Sequence, residues 1–518
     1  MRSLRVRILT ALLVLSAAGA VAWQLMPTGA DHGRTITVGT TDAVTSLDPA
    51  GAYDAGSWAL FSNLFQSLLT YRPDGAAPVP DAAKSCDFKG DDLRTYVCEL
   101  RDDLEFPSGR KMTAKDVKFS FERVKRINSD AGPATLLNTL ASVDAQDLTV
   151  TFHLNSPDAT FPFKVATGAG AIVDRELYPK NALRTDSGAD GTGPYLLKSY
   201  MKDTEAVLRP NKHYVGAVQN TGRPIRLRYY ATPPALAKAW QAKQIDVATR
   251  QLPPAILAGL SPSDPGQQIV ESDSSETRNL ILNVRADSPL HNPLVRRALA
   301  WLVDRQELAG TVYEGTAEPL YSLIPAGLTG HTTSFFDDFP KPSVKQARAL
   351  LTEAGVSLPV RFTYGYAKGR GASAEETALL KQQFEKGGLF KVTVQGYERT
   401  LYRKRYTAGK LDAYAVGWVA DFPDPDTFTG PLVGTGNSMK NDYGSKKVDR
   451  LILDSRKYAS RVRAAPDFRA LQQLVAEDVP VIPLWQRKEY VVSSVDISGS
   501  QYVSDGTGVF RLWTLDWL

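Results

Sequence analysis

Cysteine is nearly absent: the 518 residues contain two, Cys86 and Cys98. This excludes a multi-thiolate zinc or iron–sulfur centre, and their spacing is wrong for a CxxC redox pair. The five histidines, His32, His153, His213, His291 and His331, are scattered without ligand spacing, so neither a metal nor another cofactor is expected. There is no G-x-S-x-G elbow, and the Gly-rich run Gly191–Tyr195 lacks the Lys and Ser/Thr of a phosphate loop and precedes a strand. No run of Lys and Arg alternates with aromatics, which argues against nucleic-acid binding. Past the N-terminus no apolar run is long enough to cross a bilayer.

What is present is ordinary globular composition, 43% apolar and 23% charged, with 32 prolines implying many turns. At this length two to four domains are expected. The net charge of +5 includes Arg2, Arg5 and Arg7. These head an export signal: a basic start, an uncharged stretch Ile8–Val21, and small residues at Ala18–Gly19–Ala20 and Ala20–Val21–Ala22 that fit a cleavage site. The apolar stretch continues to Met26 and is nearly long enough to remain as an anchor, so residues 1–30 read as signal peptide or anchor. No cysteine follows it for lipid attachment. In an exported chain Cys86 and Cys98 are most simply a disulfide closing a short loop.

Along the chain, Arg34–Gly39 alternates as a strand, and Asp54 is placed to cap a helix carrying Trp58, Phe61, Leu64 and Phe65 at helical spacing. Tyr53, Ser57 and Trp58, at the start of that helix, are candidates to face a cleft. Thr95–Leu100 alternates as a strand. Thr113 and Asp116 resemble a capping box before a helix with Val117, Phe121 and Val124 on one face. Asp147–Leu154 alternates strictly. Further strands are predicted at Leu280–Val284, Val360–Tyr366, Phe390–Gly396 and Val479–Trp485. Helices are predicted from Asn292–Pro293 to Gly310, across Glu375–Gly387 and near Pro466–Glu477. Strands alternating with helices imply an open α/β sheet with ligand at its crevice edge.

The stretch Tyr414–Phe428 sets Trp418 three residues before Asp421, with Pro423 and Pro425 fixing the backbone beyond. An aromatic plate beside a carboxylate suits a ligand with a positive group next to an apolar one. A surface turn after a buried Trp is the plain alternative, in which Asp421 ties down its own turn.

In order, TTDAVTSLDPAGAYD, LRDDLEFPSGRKMTAKDVKFSFERV, GTGPYLLKSY, LILNVRADSPLHNPLVRRALAWLVDRQEL, YEGTAEPLYSLIP and VGWVADFPDPDTF resemble the extracytoplasmic solute-binding proteins of family 5, over roughly Thr35 to Trp517. The resemblance implies an α/β, two-lobe, type II periplasmic-binding-protein-like fold with an extra α+β domain inserted near the N-terminus. Lobe I would comprise residues 31–71, 185–274 and 484–518, the inserted domain 72–184, and lobe III 275–483. It implies a non-catalytic, monomeric protein that captures a small, peptide-like solute and delivers it to an ABC permease outside the cytoplasm. In oligopeptide-binding relatives the Trp-x-x-Asp motif forms a wall and meets the peptide's α-amino group, roles that would fall to Trp418 and Asp421. Such relatives carry an Arg two positions before the Gly-Trp, where this chain has Ala415. Two other classes remain: a secreted hydrolase built on acids such as Asp421, Asp424 and Asp426, and a sensor or surface-interaction protein on the same fold.

Overall fold

The strand Ile36–Thr40 forms where Ile36 and Val38 alternate with smaller residues, and both are fully buried. It pairs in parallel with Ile225–Tyr229 on one side and Val247–Thr249 on the other. These belong to one eleven-stranded mixed sheet in the computed structural model, which describes residues 34–518 apart from 74, 251, 262, 505, 506, 508 and the side chain of residue 273. The signal or anchor expected at residues 1–30 lies outside the described residues.

Across the sheet the order is Phe390–Tyr397, Val360–Ala367, Ala413–Trp418, Gln267–Leu282, Val481–Ser494, Val247–Thr249, Ile36–Thr40, Ile225–Tyr229, Glu205–Pro210 and Tyr195–Met201, with Ala317–Pro319 also on Val481–Ser494. Two strands carry it from one half to the other. Gln267–Leu282 is 16 residues long and Val481–Ser494 is 14. They run antiparallel, with the register broken between Asp273 and Thr277. Such a break bends and twists a ribbon, which is what a crossing between two packed halves requires. The sequence reading had only the apolar ends of these strands, because Glu271–Arg278 is polar and carries no strand pattern.

Separate cores lie on either side of the crossing. The first lobe packs Ile36, Val38, Phe61, Ile225, Val247 and Trp513, and the second packs Leu280, Leu299, Phe362, Phe384, Phe428 and Ile482. A third core belongs to a four-stranded antiparallel sheet, ordered Ala83–Phe88, Thr95–Leu100, Thr149–Leu154, Leu140–Gln146, under the helix Ala114–Ile127. Cys86 and Cys98 lie directly opposite in its first strand pair and are disulfide-bonded. The Asp116 carboxylate accepts from the Thr113 N–H at 2.9 Å, the capping contact read from the sequence. The helix buries Val117, Phe121 and Val124. Its Arg123 forks onto Asp48 at 2.6 and 2.5 Å, tying this inserted domain to the loop after the first strand. Residues 161–173 stitch the two units further: Phe161, Val165 and Ile172 join the inserted core, while Ala169, Ala171 and Val173 join the first lobe.

One helix is shorter than its periodicity predicts. Asn292 caps Pro293–Ala300 through the Leu294 N–H, but Asp304 then accepts from the Glu307 N–H and starts a new short turn. The apolar positions Leu302 and Val303 therefore pack from a break, not from a continuous helix. Among the described residues no helix is long and apolar enough to cross a membrane.

Candidate functional site

Asp54 caps the helix Ala55–Leu64 by accepting the Ser57 N–H at 2.9 Å. The Ser57 hydroxyl donates back to Asp54 at 3.0 Å and accepts the Thr45 N–H at 2.9 Å. Ser57 is fully buried, so its side chain holds the loop against the helix. Gly56 allows that approach: a Cβ there would come within 2.3 Å of the Ala43 carbonyl oxygen. With the loop fixed, the Tyr53 ring packs on its own lobe's core while its hydroxyl donates to Asp421 Oδ2 of the other lobe at 2.7 Å. Trp58 packs beside it with ring centroids 5.3 Å apart, and its indole N–H is held by the Ala52 carbonyl at 3.1 Å.

From the second lobe, the strand Ala413–Trp418 runs into the proline turn and the helix Asp426–Val433. Thr427 organises that turn. Its hydroxyl accepts the Asp421 N–H at 3.0 Å and donates to the Asp421 carboxylate at 3.1 Å, and its carbonyl accepts the Trp418 indole N–H at 2.9 Å. Trp418 is half-buried against the second core. Asp421 is only 9% exposed, and among the described residues it has no ion-pair partner. Burial pushes its carboxyl up to about 7, opposed by the hydrogen bonds from Tyr53 and Thr427, reinforced by Asp426 and eased by Lys164. The Tyr53 phenol is pushed up as well, by burial and then by Asp421. A space of about 40 Å³, bordered by Trp58, Thr167, Gly168 and Asp421 among others, is large enough for a small polar group.

The neighbouring acids are committed elsewhere. Asp424 is forked by Arg461 at 2.7 and 3.1 Å, and Asp426 by Arg456 at 2.8 and 3.0 Å. Both carboxylates are thus held in ion pairs that brace the turn. The same turn touches the inserted domain: Phe422 packs on Phe163 at 5.9 Å, and the Arg456 carbonyl accepts the Ala159 N–H at 2.8 Å.

A larger cavity of about 400 Å³ lies where the lobes meet near the crossing strands, lined by Pro233, Leu252 and Leu257 from the first lobe, by Arg278 and Arg370 from the second, and by Trp485 on a crossing strand. One wall is braced by Glu376, fully buried on the helix Ser373–Glu385. It accepts from Arg278 at 2.8 Å, the Tyr313 hydroxyl at 2.7 Å and the Trp485 indole at 2.9 Å. Arg370 is different: it is exposed and, among the described residues, has no ion pair. It sits between Gly369 and Gly371, whose φ values of 69° and 52° turn the chain into that helix. The sequence reading missed it, although Gly-Arg-Gly between a strand and a helix is a visible signal. Ala415, by contrast, is buried in its strand opposite Leu280. Among the described residues no three His, Cys, Asp or Glu side chains gather to hold a metal ion.

Of the residues singled out from the sequence, Tyr53, Trp58 and Asp421 meet between the lobes, Trp418 adjoins them through Thr427, and Ser57 is turned into its loop. The family model for bacterial extracellular solute-binding proteins, family 5 middle, matches residues 77–440. The "Probable D,D-dipeptide-binding periplasmic protein DdpA" of Escherichia coli K12 is 26% identical over 495 residues, covering 93% of this chain and 94% of that protein. DppA from Helicobacter pylori, solved in complex with the peptide STSA, superposes with a TM-score of 0.82 at 22% identity, covering 94% of this chain and 98% of that one. The murein tripeptide binding protein MppA of Escherichia coli superposes at 0.81 with 21% identity, covering 95% and 99%. Its unliganded open form reaches only 0.71 at 22% identity over the same shares. The fold is the two-lobe periplasmic-binding-protein fold with an inserted α+β domain, and the chain belongs to the bacterial extracellular solute-binding proteins of family 5.

Proposed function

We propose that this chain captures a small, peptide-like solute with a free amino group between its two lobes, outside the cytoplasmic membrane, and delivers it to the permease of an ABC importer without turning it over. The observation that carries the reading is Asp421, a buried carboxylate with no ion-pair partner among the described residues, held at the lobe interface by Tyr53. A carboxylate in that setting gains most from an ammonium, which restores the charge partner that burial removed. Arg370, exposed beside the 400 Å³ cavity, suits the carboxylate at the other end of a short peptide, the role that Ala415 cannot fill. Lobe I at residues 31–71, 185–274 and 484–518 would supply Tyr53 and Trp58. Lobe III at 275–483 would supply Trp418, Asp421 and Arg370, and residues 72–184 would form the inserted domain.

Binding then favours the closed form, because only there do both lobes touch the solute. The protein acts as a monomer whose closed rims are what the permease recognises. Calorimetric titration with L-Ala-L-Ala, D-Ala-D-Ala and their N-acetyl derivatives tests this. A free peptide binds, and acetylation, which removes the ammonium, weakens it by about ten- to a hundredfold. N-acetyl peptides that bind as tightly as free ones contradict the amine anchor.

A further inference from the structure

Three strands of the second lobe lie side by side and parallel: Ala413–Trp418, Val360–Ala367 and Phe390–Tyr397. Parallel strands release their chains at the same sheet end, which is where open α/β sheets hold ligands. Ala367 is level with Tyr397, and Tyr364 with Ala413, so the three segments leave together. The first carries Asp421, the second Arg370, and the third Arg399 with Arg403 one helical turn further on. Neighbouring strands are about 4.8 Å apart. The rim therefore presents a row: one carboxylate, a guanidinium one strand away, and two more guanidiniums one strand beyond that.

All three arginines are exposed, and none makes an ion pair among the described residues. Arg399 and Arg278 lie near enough to repel Arg370 as like charges, while Glu276 and Asp42 attract it. Arg399 also occupies the first position of the helix Arg399–Thr407, where the macrodipole disfavours a cation. The facing carboxylates are already engaged. Asp54 accepts from Ser57 and, though it attracts Arg399, balances only one of the three guanidiniums; Asp42 pairs with Arg250 at 3.2 Å, and Glu276 pairs with Arg487 at 3.5 Å. The cleft thus keeps a surplus of positive charge beyond what one terminal carboxylate needs.

We propose that the solute carries a second negative group: a short peptide ending in Glu or Asp, with its ammonium on Asp421, its terminal carboxylate on Arg370 and its side-chain carboxylate on Arg399 and Arg403. The inference rests on the peptide reading above. Its test is titration of the purified protein and of its R399Q/R403Q variant with Ala-Glu, Ala-Gln and Ala-Lys, each in L,L and D,D form. Ala-Glu binds about tenfold tighter than its isostere Ala-Gln, and Ala-Lys binds weakest. In R399Q/R403Q the ratio between Ala-Glu and Ala-Gln falls to nearly one. Both substituted side chains are exposed, so the fold survives the change. Ala-Gln binding as tightly as Ala-Glu overturns this inference alone. A ratio that persists in the variant overturns the assignment to Arg399 and Arg403. Failure of all six peptides to bind overturns the peptide reading, and this inference with it.

Discussion

The Asp421 carboxyl links pH to closure. Its pKa of about 7 stands above the ordinary 3.8 because burial between the lobes removes the water that would solvate the charge. A raised folded-state value means that the closed form binds the proton more tightly than the open or unfolded chain does. Stability from this group is therefore fully present below about pH 4 and is lost as pH rises through about 7. Three units at about 1.4 kcal/mol each put the full span on the order of 4 kcal/mol, lost steadily between about pH 4 and pH 7. Asp421→Asn stays neutral, so its melting temperature equals that of the wild type below about pH 4 and exceeds it increasingly up to about pH 8. Solute binding runs the other way. An ammonium needs the ionised carboxylate, so affinity weakens about tenfold per unit as pH falls from 7 to 5, and about one proton is released on binding at pH 6. Titration calorimetry in buffers of contrasting ionisation enthalpy reads that proton directly. An affinity flat from pH 5 to 7, or an Asn variant that binds as well as the wild type, refutes the reasoning. An Asn variant of lowered melting temperature at every pH would instead mark Asp421 as a brace for its own turn.

Glu376→Gln leaves Arg278 buried without its counter-charge and should cost about 3–5 kcal/mol, read from denaturant unfolding followed by tryptophan fluorescence. A cost below about 1 kcal/mol would show that the cavity wall does not depend on that pair. Reducing Cys86–Cys98, which closes a loop of sequence separation 12, should destabilise the inserted domain by about 3 kcal/mol and leave solute affinity intact, because the bridge lies in a sheet that lines neither cavity. Thermal melts and titrations with and without reductant check both halves, and a loss of affinity on reduction would contradict the second.

Much of the local architecture was legible because its causes are local. Asp54, Asn292 and the Thr113–Asp116 pair sit where helices begin, and capping is read within four residues. The strict alternation of Val150, Phe152 and Leu154 is likewise a signal carried by the strand itself. The crossing strands were half-legible: their apolar ends show, but Glu271–Arg278 is polar because it runs past the cleft, not through a core. The candidate site was legible as residue types and hidden as geometry. Asp421 stands out beside Trp418, yet its partner Tyr53 is 368 positions away and meets it only because two lobes close. Ser57 shares a helix turn with Trp58 but faces its own cap, a distinction that composition cannot carry. Arg370 went unnoticed because an exposed arginine between glycines reads as solvated turn until a cavity appears beside it.

The most direct test of the account is a crystal structure of the chain with a bound free-amine peptide. The account predicts the peptide's nitrogen about 2.7–2.9 Å from a carboxylate oxygen of Asp421 and its terminal carboxylate on Arg370, with both lobes in contact. A peptide whose amine is bound by another group, with Asp421 still held only by Tyr53 and Thr427, would contradict it.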